Sequence, residues 1–219
     1  MVDIGKDAGR DVIAVLSDMN QPLGEAVGNA LEVTEAIEVL RGGGAHDLRE
    51  HCIQIAGYML KLAGRGQKWT DATDTDRLLR AQLSNGAALA KFRQMVEAQG
   101  GDVSMVDDPS KMPQASIIET YTAKTSGTIA HVYADEIAWA AFELGAGREK
   151  KTDTLDLAVG LRVPVKVGDS VTGGQTLATI YANDRAKIAA CVSHLDAAFG
   201  ITDQPVEPLP LFYDVIASS

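Results

Sequence analysis

Near Pro113 the apolar residues change their spacing, and that change limits the chain to a mixed fold. Upstream they recur every three or four residues: Leu48, Cys52, Ile55, Met59 and Leu62 share one helical face, and Leu89, Phe92 and Val96 another. Downstream they alternate, as in Ile118 to Thr122 and Gly127 to Val132. The expected class is α/β (α+β mixed). Residues 1–112 read as a partial α/β domain with several helices. Residues 113–219 read as a barrel-sandwich-like β module with one inserted helix and a terminal helix. Between them Gly101 to Gln114, with Asp107-Asp108-Pro109-Ser110 and then Pro113, reads as a linker or covering loop.

The chain in order refines this picture. Val2 to Arg10 reads as the end of a helix closed by Gly9, followed by a buried strand, Val12 to Leu16. A lone buried strand needs neighbours, and the next sixty residues offer only helices, so the start reads as a truncation. Pro22, Gly24 and Gly28 then turn the chain or bring its backbone close to something. A helix is expected from about Glu32, with Val33, Ala36, Ile37 and Leu40 as its stripe and Gly42-Gly43-Gly44 as its stop. That start puts Glu35 in the first turn and leaves Asn29 to a turn or cap.

Asp47-Leu48-Arg49-Glu50 reads as a capping box opening the next helix, which Gly64-Arg65-Gly66 ends. Two more helices follow, about Asp74 to Leu83 and Ala87 to Ala98. In the β module a helix from Asp135 to Leu144 is capped by Gly145. Strands are expected at Asp156 to Val159, Leu161 to Val167 and Gln175 to Tyr181. Ile188, Val192, Leu195 and Phe199 mark the last helix, and the tail from Pro205 packs extended or frays.

Charge and composition exclude several classes. A net charge of −10 over 219 residues argues against a nucleic-acid surface, which needs clustered Lys and Arg. The sequence has neither an apolar run of membrane-spanning length nor a leader-like start. Cys52 and Cys191 both fall on helical stripes, so core thiols in a reducing cytoplasm are expected.

Few residues carry a chemical signal by themselves. His46 and His51 flank a helix without partners at metal-ligand spacing and read as solvated or capping groups. Asp107 and Asp108 precede a proline and read as a turn start rather than paired catalytic carboxylates. Gly145-Ala146-Gly147-Arg148 is an anion candidate, but it follows a helix, where the dipole opposes an anion, so a C-cap is the better account. No nucleophile elbow and no Cys–His pairing is present. Catalytic residues are therefore expected to be none, and substrate-binding residues none.

The stretch Ser17 to Ile37, SDMNQPLGEAVGNALEVTEAI, preceded by GKDAGR, resembles the pyrimidine-nucleoside phosphorylase and thymidine phosphorylase family. AQGGD, LGAGR and DLAVGL follow in the order and spacing of that family. The resemblance runs from Met1 to about residue 200 and covers only the family's C-terminal part. It implies a transferase, a pentosyltransferase acting by reversible phosphorolysis, with phosphate and a pyrimidine nucleoside as substrates, in a cytoplasmic homodimer. The family's Lys-x-Ser-x-Gly-Gly phosphate loop and its base-holding Arg and Ser-Lys residues lie upstream in the family and are absent from these 219 residues. The resemblance thus implies a truncated, inactive chain that needs an N-terminal half; the alternative is a free-standing structural module.

TSGTIAHVYA with VKVGDSVTGGQTLATIYAND also resembles the hammerhead of biotinyl and lipoyl carriers. Alignment on Gln175-Thr176-Leu177 puts Asp184 where such carriers modify a lysine, and an aspartate cannot form that amide.

The phosphorylase resemblance implies no required cofactor but does imply a cation, K+ or Ca2+, tying this segment to the phosphate loop. Its ligands here would be the carbonyl oxygens of Leu23 and Ala26 and the Glu35 carboxylate. Oxygen donors suit hard cations. A continuous helix would hold Ala26 and Glu35 about 13 Å apart along its axis. The site therefore requires the chain to turn at Gly28-Asn29.

Overall fold

Alternating valines and paired glycines build the larger part of this protein. Val163, Val165 and Val167 all point into one apolar core, and Val159, Leu161, Ile129 and Leu195 close it with no exposed surface. The computed structural model describes residues 2–64, 67–148 and 150–217. Its fold is mixed α/β, with antiparallel strand pairing throughout the described residues. Compactness separates two units. One comprises Met19–Ile37 and Val96–Leu209; the other comprises Met1–Asp18, Glu38–Met95 and Pro210–Ser219.

In the first of these units β2 (Ala26–Val27), β5 (Gly160–Arg162), β7 (Thr176–Ala182) and β3 (Ile117–Thr122) form a four-stranded sheet in that order. A three-stranded sheet runs β6 (Ser170–Val171), β4 (Gly127–Val132), β8 (Phe199–Thr202). The helices α7 (Ala134–Leu144) and α8 (Arg185–Ala198) pack on each other and bury Ile137, Ala140, Ile188, Cys191 and Leu195. Strand β5 approaches the segment before α2 (Asn29–Leu40) backbone to backbone. A Cβ on Gly28 would lie 2.5 Å from the Val159 carbonyl, and one on Gly160 would lie 2.2 Å from that of Val27. Only glycines permit that approach.

The other unit holds α1 (Val2–Asp7), β1 (Ile13–Ser17), α3 (His46–Ala63), α4 (Ala72–Ser84), most of α5 (Ala87–Ala98) and β9 (Phe212–Ala217). Helix α1 ends as expected, with Gly9 at φ +70° and its N–H donating to Lys6 O. Strand β1 is not buried. Its residues are half-buried and Leu16 is exposed, and its partner is β9, paired from Ile13↔Ala217 to Ser17↔Phe212. The tail expected to fray is thus a strand, because its backbone groups complete a ladder with β1.

Several expected boundaries shift for local reasons. Helix α2 starts at Asn29 rather than Glu32 because the Glu32 side chain accepts the Gly28 N–H at 2.9 Å and closes the first turn early. Glu35 therefore lies in the second turn, and Val33 faces solvent. Helix α3 has no capping box. Its N-cap is Ala45, and Asp47 instead accepts the adjacent Leu48 N–H. The α3 stripe is rotated too: Ile53 is buried, while Cys52 and Met59 are exposed. Only Cys191 is a core thiol. The helix ends at Gly64; Arg65 and Gly66 lie outside the described residues. Helix α4 starts at Ala72, where the Asp71 carboxylate accepts the Asp74 N–H at 2.9 Å.

The expected covering loop contains a short helix, α6 (Ser104–Asp107), and a 3-10 turn, Pro109–Lys111, anchored by buried Val106 and Met112. Asp108 caps that turn through the Ser110 N–H, which is the turn role expected of it. No strand forms at 156–159, and Phe199 opens β8 instead of closing α8.

Candidate functional site

The loop between β1 and β2 is held by groups distant in sequence. Ala26 opens β2 and pairs with Arg162 of β5, while the Glu25 carbonyl accepts the Val163 N–H at 2.7 Å. The chain then turns at Gly28, φ +137°, and α2 runs back past the loop. This turn delivers Glu35 to the segment it left nine residues earlier. Glu35 is 6% exposed, and its carboxylate accepts the N–H groups of Glu25 at 2.7 Å and Ala26 at 3.3 Å. Gly24, φ +71°, makes room for it: a Cβ there would sit 2.5 Å from Glu35 Oε2. A buried carboxylate is stable only with such donors.

The opposite side of the loop is held by residues 162–167. Lys166 Nζ donates to Pro22 O at 2.5 Å and to Gly24 O at 2.6 Å. Val167 N–H donates to the Gln21 side chain at 2.9 Å, and Arg162 pairs with the Glu25 carboxylate at 2.9 Å. Of the three expected cation ligands, Ala26 and Glu35 therefore lie together, joined through the Ala26 amide. Leu23 sits between the two carbonyls that Lys166 holds, and its side chain is partly exposed. Three residues with one or two oxygens each fall short of the six to eight that Ca2+ takes. Among the described residues no group of three His, Cys, Asp or Glu side chains is placed to hold a metal. Sequence reasoning missed Lys166. Its one signal is its place between buried Val165 and Val167, on the alternate face.

The remaining candidates resolve into structural roles. Gly145 is the left-handed C-cap of α7 at φ +108°, and Arg148 is exposed. His46 lies 4.0 Å from Glu50, and His51 stacks on Phe212 with ring centroids 5.1 Å apart. Asp184, at the position a carrier would modify, is the N-cap of α8 and accepts the Ala186 N–H at 2.9 Å. A groove of about 420 Å³ between α3 and α4 is lined by Glu50, Tyr58, Lys61, Trp69, Asp76 and Arg80. Three of its charged groups pair with one another, Arg80 binding Glu50 at 2.5 Å and Asp76 at 2.8 Å. The Arg80 guanidinium, aided by Arg49, holds the Glu50 carboxyl down to about 2, below the ordinary carboxylate range. Burial, with Glu143 nearby, pushes the Cys191 thiol up to about 12, which makes it inert. No helix among the described residues is long and apolar enough to cross a membrane.

Comparison with known proteins places this architecture. Residues 128–202, from β4 to β8, match the pyrimidine nucleoside phosphorylase C-terminal domain. The chain is 44% identical over 217 residues to a pyrimidine-nucleoside phosphorylase of Geobacillus stearothermophilus, covering 99% of this chain and 49% of that protein. It is 50% identical over 184 residues to the one from Bacillus subtilis, covering 84% and 42%. With the one from Staphylococcus haemolyticus it shares 43% over 208 residues, 95% and 47%. The chain spans about half the length of these curated relatives. Its sequence and its matched domain thus relate it to the C-terminal part of the pyrimidine-nucleoside phosphorylase family.

Proposed function

We propose that this chain is the C-terminal part of a pyrimidine-nucleoside phosphorylase, which exchanges the base of a thymidine or uridine for phosphate. The observation that carries this reading is 44% identity maintained along 99% of the chain to an enzyme twice as long. In such a reaction phosphate displaces the base and leaves a ribose or deoxyribose 1-phosphate. The transition state has oxocarbenium character, so rate comes from positioning phosphate and supporting the departing base. The Lys-x-Ser-x-Gly-Gly segment suited to phosphate is not among these residues. The chain's own contribution is structural. Residues 1–112 are read as part of the phosphorylase α/β domain and 113–219 as its C-terminal β module; the family match falling wholly within the second part supports that division, while Met19–Ile37 group with the second part and Pro210–Ser219 with the first.

The same reading assigns Leu23, Ala26 and Glu35 to a K+ or Ca2+ site completed by oxygens from outside this sequence. It also carries the homodimer, and a cytoplasmic location, which the free thiols Cys52 and Cys191 suit. The test incubates the purified 219-residue chain with thymidine or uridine and phosphate and follows release of free base. No release is expected from the chain alone, because removing a single transition-state donor already costs about a hundredfold or more. Release is expected once a polypeptide bearing the Lys-x-Ser-x-Gly-Gly half is added. Turnover by the chain alone overturns its inactivity, and failure of the added half to rescue favours a free-standing module.

A further inference from the structure

A glycine inside a helix is destabilising, and close packing against a neighbour is the usual reason for one. Gly57, in the interior of α3, has no such reason. A Cβ added to it would meet Thr75 Cγ2 at 3.9 Å, an ordinary contact. The missing side chain leaves depth instead, in the wall of the groove of about 420 Å³ between α3 and α4. The same groove holds a second unfavourable choice. Trp69, in the connection between the two helices, has φ +61°, and among the described residues it is the one residue other than glycine at positive φ. That conformation crowds the Cβ against the backbone and is rare for a bulky side chain. It sets the indole on the groove wall, 37% exposed. Strain of this kind persists at ligand sites, where it positions a group in advance. Helix packing calls for neither choice, and a ligand seat uses both.

Charge narrows the class of ligand. At one end of the groove Arg80 binds Glu50 and Asp76, so both acids are neutralised there. Lys61 also lines the groove, about 16 Å further along the α3 axis than Glu50. Lys68 Nζ lies over the Trp69 ring, 5.4 Å from its centroid. Among the described residues neither ammonium has a carboxylate partner. The acids nearest Trp69 in sequence are engaged elsewhere: Asp71 caps α4, and Asp74 pairs with Arg77. This end therefore combines an indole, the Tyr58 ring held through Gln54 at 3.2 Å, and uncompensated positive charge.

We propose that this groove binds a small planar aromatic anion: its ring stacks against Trp69 and Tyr58, its carboxylate or sulfonate is met by Lys61, and Gly57 leaves the room the ring needs. Aromatic pairing and a charge-assisted hydrogen bond supply the affinity, and the groove has the volume of a small-molecule site. It lies wholly among residues 50–80, outside the matched domain at 128–202. Neither phosphate nor a nucleoside enters its test, so the result is independent of the phosphorolysis reading.

The test is isothermal titration calorimetry of the 219-residue chain with three probes of one shape, 2-naphthoate, 2-naphthylmethanol and 2-naphthylmethylammonium. Naphthoate is expected to bind one to one with a Kd of about 0.1 mM, and the other two about tenfold more weakly or worse. Lys61→Met should weaken naphthoate about fivefold or more and leave the alcohol unchanged. Gly57→Leu, whose side chain fills the groove, should abolish binding. Gly57→Ala should melt about 2–4 °C above the parent, because it gains helix propensity without a clash, and should bind naphthoate severalfold more weakly. No binding of naphthoate up to about 2 mM, well above the expected Kd, overturns the proposal. Equal affinity for the three probes, or for naphthoate with and without Lys61, overturns it as well. Undiminished binding by Gly57→Leu does the same by locating the probe elsewhere, and a lower melting temperature for Gly57→Ala does so by making the glycine a packing requirement. If Gly57→Leu does not fold, the affinity of Gly57→Ala decides: weaker binding supports the groove, and unchanged binding overturns it.

Discussion

Gly24 and Glu35 restrict each other. Alanine at position 24 would adopt φ +71° and place its Cβ 2.5 Å from Glu35 Oε2. The left-handed backbone alone costs about 1–2 kcal/mol, and the displaced carboxylate leaves amides of Glu25 and Ala26 without their acceptor. Gly24→Ala is therefore expected to lower unfolding free energy by about 2–4 kcal/mol in urea titration. Glu35→Gln tests the carboxylate by itself. Its amide offers one oxygen where two were used, so a loss of about 1.5–3 kcal/mol is expected.

Glu50 supplies a pH signature at the same scale. Its carboxyl sits at about 2 against an ordinary 4.5, so folding favours the ionised form. That contribution is complete above pH 4.5 and is lost as pH falls through 2. Arg80 is 44% exposed and Glu50 23%, so solvent screening limits the pair to about 1 kcal/mol. Glu50→Gln should be less stable than the parent at pH 6, and the two melting curves should converge as the pH is lowered from 4.5 towards 2.

At the scale of elements, α8 and the β1–β9 ladder give contrasting tests. Asp184 caps α8 through the Ala186 N–H, so Asp184→Ala should cost about 1 kcal/mol, read as a lower midpoint in denaturant. Asp184→Lys should lose the same cap. The elements most legible in the sequence were those whose signal is local. α5 runs from Ala87 to Ala98 as its stripe and flanking glycines predict, β4 spans Gly127–Val132, and α7 ends on Gly145. The β1–β9 pairing was not legible, because neither strand's sequence names its partner and prolines precede β9. The burial of Glu35 was hidden for a similar reason. Its donors are backbone amides, which no side-chain pattern records, and its position in α2 reads as a solvent face. The turn at Gly28-Asn29 was legible, since glycine there is needed for both the positive φ and the approach to Val159. Lys166 was not, because its acceptors are carbonyls 142 and 144 residues away.

For the whole molecule, the family was legible because SDMNQPLGEAVGNALEV and LGAGR carry it residue by residue, and the matched domain at 128–202 agrees. The pairing of β1 with β9 also sets a schedule for synthesis. Asp18, just after β1, receives a hydrogen bond from Tyr213, 195 residues later. At roughly 5–20 residues per second a ribosome needs on the order of 10–40 s to cover that interval. Throughout it β1 is an unpaired edge, with Leu16 exposed even in the finished fold. Nascent chains arrested before residue 210 should therefore show fast amide exchange at Ile13–Ser17 and should bind holdase chaperones, and chains released after Ala217 should do neither. Protection of Ile13–Ser17 in the shorter chains would show that another strand takes the place of β9. The cell thus handles this strand as a debt of time, settled only when the far end of the ladder emerges.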